Sequence, residues 1–213
     1  MHVADGILPV SLCIAGYAVS LAGCAAGGRK LESDEVPRMG LLAAASFVAS
    51  TVHVPIAGAS VHFGMFGLLG LMLGLRALPV IFAVLLLQTF LFQHGGFLTL
   101  GVNATNMGAG AICGMLVGQV RSLPFALRTF MAGLLGILVP AVMVLAEFQL
   151  AGYGRSLLLL AAVYALLGAM EGLFTAMVAV FLQRIRPAML ATLAPAPVLG
   201  SMGPARDLER PVL

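Results

Sequence analysis

Residues 129–150 read TFMAGLLGILVPAVMVLAEFQL. A helix needs ~20 such residues to cross the ~30 Å hydrocarbon core of a bilayer, because each residue rises about 1.5 Å. The rest of the chain is of the same kind: apolar residues fill 61% of its 213 positions and charged residues only 9%, with a mean hydropathy of +1.09. Those values lie far outside the range of a soluble globular domain, so the chain reads as an all-α integral membrane protein. Its 26 glycines, 12 methionines and absence of Trp suit closely packed helices rather than an aromatic-belted barrel. A net charge of +3, with no basic stripe interleaved with aromatics, argues against nucleic acid as a partner.

Apolar runs between breakers give about seven segments, at 9–27, 38–54, 61–76, 78–93, 101–120, 129–150 and 156–183. The connections carry turn chemistry: GGRKLESDEVP, PIAGAS, RALP, HGGFLTLG, RSLPFALR and AGYGRS. The third and fourth segments are short enough to be tilted or partly re-entrant. Residues 1–186 thus form one transmembrane domain, and 187–213 a loosely structured, Pro-rich cytoplasmic tail. With the N-terminus outside, all of the 11 basic residues except Arg155 fall on the cytoplasmic side, as short-loop charge bias requires. The same orientation gathers all four histidines, His2, His53, His62 and His94, near the outer face. SLAGC, ending at Cys24, resembles a lipobox, but residues 1–6 lack Lys and Arg and contain Asp5, so the first segment is expected to remain as an uncleaved span. Cys13, Cys24 and Cys113 show no metal or redox spacing and read as small buried hydrophobes. Gly70/Gly74 and Gly110/Gly114/Gly118 are spaced for close helix packing. Glu171, near the middle of the last segment, is expected to be hydrogen-bonded inside the bundle.

The opening MHVADG has chemistry of its own. The amine of Met1, the amide nitrogen between Met1 and His2, and the His2 imidazole can close two small fused rings on one ion. A fourth nitrogen from a distant histidine completes a square-planar set that suits Ni²⁺ or Cu²⁺, with Co²⁺ also accommodated. Amide coordination expels a proton, so binding weakens as pH falls. Bulky His2 is expected to protect Met1 from trimming.

With MHVADGILP at 1–9, ASVHFGMFGLLGLMLG at 59–74 and LFQHGGFLTLGVNATNMG at 91–108, and more weakly EGLFTAMV at 171–178, the chain resembles the CbiM/NikM family. These are substrate-specific S components of energy-coupling-factor (ECF) importers for cobalt or nickel. The resemblance implies that Met1, through its amine, and His2, through its amide and imidazole, bind the metal with His62 as fourth ligand. It also implies that the N-terminal segment is threaded into the protein interior. His53 is then expected to support a ligand without touching the ion, or to be a satisfied loop histidine. His94 acts as a support or gate, or is plain loop polarity. Asn103 and Asn106 hold the terminal segment or orient His62, or pack polar groups between helices; Asp5 anchors the terminus or sits in a surface turn. Co²⁺ or Ni²⁺ is the transported substrate, with no organic cofactor. Lys30 does not fit a phosphate-binding loop, so the chain is not its own ATPase. The resemblance supplies two cytosolic ATPase subunits and a transmembrane coupling subunit, often with a small accessory membrane protein, in the plasma membrane of a prokaryote. A membrane enzyme with a catalytic metal on the outer histidines is the alternative; no HExxH or paired carboxylate is present to serve it.

Overall fold

Backbone polar groups in lipid must be satisfied within the chain, so the apolar runs become helices. The structure, a computed structural model, describes residues 2–51, 53–56, 59–152 and 157–193. Its helices are α1 Val10–Gly27, α2 Glu35–Thr51, α3 Phe66–Leu73, α4 Ala77–Phe92, α5 Leu100–Gly118, α6 Phe125–Leu150 and α7 Leu157–Ile185. Large apolar side chains such as Val48, Phe90, Val142 and Leu158 point outward, a surface suited to lipid rather than water.

The all-α expectation needs one correction. Strands β1 His2–Val3, β2 His53–Ile56 and β3 Ala59–His62 form an antiparallel sheet in the order β1-β3-β2. His53 lies opposite His62, and His2 opposite Ser60. Extended backbone is tolerated here because the strands pair with one another and are backed by protein. The segment expected at 61–76 is therefore the end of a strand, a tight junction and the short helix α3.

Five stretches among the described residues are long and apolar enough to cross a membrane: Val10–Gly27, Phe66–Phe92, Leu100–Gly118, Phe125–Leu150 and Leu158–Ile185. The second of these is folded back on itself. Positions 67 and 71 of α3 lie against Gly114 and Gly118 of α5, whereas Leu78 of α4 lies against Gly108. Chain order along α5 is thus followed by α3 and reversed by α4. Gly74, with φ 59° and ψ −134°, makes that reversal, a conformation that glycine reaches without steric cost. Gly74 is thus a turn, not the packing residue its spacing suggested.

α3 is buried along its whole length. A Cβ on Gly67 would lie 2.1 Å from the Ala132 carbonyl oxygen and one on Gly70 1.9 Å from that of Ala111, so backbones of α3, α5 and α6 meet directly. The expected internal packing of Gly110 and Gly114 is of the same type, against the backbones of Gly136 and Gly67, whereas Gly118 makes room for the Leu71 and Leu193 side chains. Arg76, just past the reversal, pairs with Glu35 and donates to the carbonyls of Gly27, Arg29 and Lys30. A cation is thereby placed on the negative end of α1. The α1 C-terminus, the α2 N-terminus, the α3–α4 reversal and the α5–α6 connection thus share one end of the bundle, the arginine end. The sheet and the four histidines lie at the other. Pro187–Leu193 form a 3-10 helix with Leu190 and Leu193 buried, so the start of the tail packs against the bundle; residues 194–213 lie outside those described, as does Arg155.

Candidate metal centre

The N-terminal strand is gripped from both sides. β1 pairs with β3, while Asn103 on α5 accepts from the Val3 N–H at 2.8 Å and donates to the Val3 carbonyl at 3.0 Å. The Thr99 hydroxyl donates to that same carbonyl at 2.7 Å, and the Thr99 N–H donates to Asp5 Oδ1 at 3.0 Å. Every hydrogen-bonding group of the Val3 backbone is therefore met, which a buried segment requires. The two glycines of QHGG explain themselves here. Gly95 has φ +87° and passes 3.1 Å, measured from a built Cβ, from His2 Nδ1; a Cβ on Gly96 would fall 1.9 Å from Asp5 Oδ1. Any side chain at position 96 would displace the Asp5 anchor.

Four imidazoles meet above this strand. Ring centroids of His2 lie 4.8 Å from those of His62 and 4.2 Å from those of His94, and His53 stacks on His94 at 4.0 Å. His2 and His62 are each 3% exposed, and the Nε2 of each is buried without a hydrogen-bond partner among the described residues. Burial, then the neighbouring histidines and the terminal amine, holds the His2 imidazolium well below the usual pKa; burial does the same for His62. His94 is lowered to about 4, by burial first and His53 second. These rings are consequently neutral near pH 7, the form that binds metal. His62 Nδ1 lies 3.2 Å from the Phe63 carbonyl, which sets the tautomer that leaves Nε2 open. His53, with Nδ1 3.1 Å from the Thr51 carbonyl, sits at the exposed rim.

Among the described residues no three His, Cys, Asp or Glu side chains converge in metal-ligating geometry. The Nε2 atoms of His2 and His62 are left without a partner among the described residues. Met1 lies outside the described residues.

A family profile described as the cobalt uptake substrate-specific transmembrane region matches residues 2–189. The chain belongs to the CbiM family. Among curated relatives, a putative metal transport protein of Haemophilus influenzae is 41% identical over 124 residues, covering 58% of this chain and 60% of that protein. A putative fused nickel transport protein, NikMN, of Archaeoglobus fulgidus is 32% identical over 200 residues, covering 88% and 67%. The putative cobalt transport protein CbiM 1 of Methanosphaerula palustris is 29% identical over 234 residues, covering 98% and 97%. The chain thus matches three-fifths of the Haemophilus protein and nearly all of the Methanosphaerula one. A crystal structure of a truncated transition metal transporter superposes with TM-score 0.79 at 22% identity, covering 86% of this chain and 99% of that one, so the fold is shared.

CbiM membership makes this a multi-pass membrane component of metal uptake, and the relatives are named as transport proteins rather than enzymes. Within it Asn103 holds the terminal strand, but Asn106, one turn further along α5, does not. Its side-chain amide donates to both Glu147 carboxylate oxygens at 2.9 and 3.0 Å, which is interhelical polar pairing. Thr99 and Glu147 were not singled out in the sequence. Thr99 had a signal, a hydroxyl residue directly before an apolar helix; Glu147 had one too, a lone carboxylate near the end of the 129–150 run.

Proposed function

We propose that this chain is the ion-capturing S component of an ATP-driven ECF importer for Co²⁺ or Ni²⁺. One observation carries the reading: the buried imidazoles of His2 and His62 lie with ring centroids 4.8 Å apart, and the Nε2 of His62 has no hydrogen-bond partner among the described residues. A neutral buried nitrogen left without a partner costs about 1–3 kcal/mol, and a metal ion is a natural partner. With the Met1 amine, the His2 amide nitrogen and the His2 Nδ1, which closes a small ring with that amide, added to His62 Nε2, four nitrogens surround one ion in the planar arrangement that favours Ni²⁺ and accommodates Co²⁺. His94 and His53 cover the site from the rim, and Asn103, Thr99 and Asp5 fix the strand that bears His2.

The histidine end faces outward in this reading and the arginine end faces the cytoplasm of a prokaryotic cell, in line with the distribution of Lys and Arg. Energy comes from elsewhere, because no phosphate loop is present: two cytosolic ATPase subunits act through a transmembrane coupling subunit, with or without an accessory membrane protein. The purified full chain in detergent should bind one Ni²⁺ or Co²⁺ per molecule. His2→Ala, His62→Ala and a one-residue extension before Met1 should each abolish that binding, read by metal titration and X-ray absorption. Stoichiometric metal retained in the extended protein would remove the terminal amine from the site.

A further inference from the structure

We infer that Glu171, in the middle of α7, is the positioning residue for His62; the inference rests on the metal-capture reading above. Its side chain is fully buried. Oε1 accepts the Gly64 N–H, and both carboxylate oxygens accept the Met65 N–H, at 3.0 and 3.1 Å. Those two amides form the junction between the strand that ends at His62 and helix α3, which begins at Phe66.

The junction needs such an anchor. Met65 holds a left-handed φ of 59° and gives α3 no side-chain cap, so the Gly64 and Met65 amides just ahead of that helix would otherwise be orphaned in a lipid-surrounded interior. A carboxylate at that point satisfies them and matches the positive end of the helix. The Gly64 carbonyl is held from the opposite side by the Ser46 hydroxyl, at 3.1 Å. Residue 64 is therefore fixed between α7 and α2. His62 is two residues away, its ring edge-on to Phe66 at 6.3 Å and its Nδ1 against the carbonyl of Phe63. The Phe63 carbonyl and the Gly64 N–H belong to one peptide unit, so rotation of that peptide away from Glu171 turns the carbonyl and, with it, the His62 ring. Glu171 thus acts through the backbone, without touching the ion.

The test uses the full chain in detergent, with Ni²⁺ as the probe. Glu171→Gln keeps the size of the side chain and removes its charge, leaving an amide NH₂ against two N–H donors. It should weaken Ni²⁺ binding roughly 10–100-fold, as changes behind a ligand do, and alter the d–d absorption of the bound ion. Glu171→Asp should recover part of both. Wild-type affinity and spectrum in Glu171→Gln would overturn the inference, even with a lowered melting temperature. Should that variant not fold, Ser46→Ala frees the Gly64–Met65 peptide from its other side: a smaller loss with a shifted spectrum supports the inference, and unchanged binding overturns it. Loss of Ni²⁺ in His62→Ala alone would leave the capture reading standing, whereas unaltered binding in His2→Ala and His62→Ala would remove that reading itself.

Discussion

Asn103 shows how a side chain that contacts no metal nitrogen can decide whether a site exists. Its amide meets both the N–H and the carbonyl of Val3, and Val3 is fully buried. Asn103→Ala leaves the Val3 N–H without that partner at about 1–3 kcal/mol, while the Thr99 hydroxyl still meets the carbonyl, and ~1.4 kcal/mol is tenfold in affinity. Metal affinity should therefore fall by about 10–100-fold while helix content, read by circular dichroism, is retained. The histidines predict a pH dependence whose sign follows from their direction of shift. His94 titrates at about 4 when folded against an ordinary 6.5, lowered by burial and then by His53, and burial pushes His2 and His62 the same way. Between those values the unfolded chain binds more protons than the folded one, so stability is present above 6.5 and lost as pH falls towards about 4. The change in melting temperature of the metal-free protein from pH 7 to pH 5 should differ between wild type and His94→Gln, the wild type losing more stability at the lower pH, and an equal change in both would contradict the buried neutral cluster. Of these residues, the sequence made the histidines and Asn103 visible by side-chain chemistry. It did not show that Glu171 meets the amides of Gly64 and Met65, because contacts across more than a hundred positions depend on how helices pack.

Helix α3 marks where periodicity stopped being informative. The apolar runs located the other helices to within a few residues, since length and hydropathy set a span. Between 53 and 74, however, four-residue strands and an eight-residue helix are too short to leave a period, and the same GxxxG spacing held one packing glycine, Gly70, and one turn, Gly74. The two glycine environments differ measurably. Gly70→Ala drives a Cβ to 1.9 Å from the Ala111 carbonyl oxygen, while Gly40 in α2 has nothing within 4 Å of its built Cβ. Gly70→Ala should destabilise the bundle by about 1–3 kcal/mol through overpacking; Gly40→Ala should be neutral or stabilise by up to ~1 kcal/mol through helix propensity. Thermal melts of the two variants in one detergent check the contrast, and equal shifts would mean α3 is not backbone-packed.

The bundle as a whole separates its chemistry by end. The imidazoles cluster at the sheet, and Arg29, Lys30 and Arg76 meet the α1, α2 and α4 termini at the far end. This polarity was readable from the linear sequence because charge in short loops is a property of the connections, not of the packing. It also fixes what capture requires: an ion arriving from outside must reach neutral nitrogens without crossing the guanidinium groups, which would repel it. The proposed orientation is thus favoured by both the insertion bias and the charge of the proposed cargo. Phe97, about half exposed in the loop beside His94, and Ser122, in the α5–α6 connection, lie at opposite ends. In intact cells a membrane-impermeant maleimide should label Phe97→Cys and spare Ser122→Cys, and in inverted vesicles the pattern should reverse. Labelling of Ser122→Cys in intact cells would turn the arginine end outward and leave the metal site facing the wrong side for uptake.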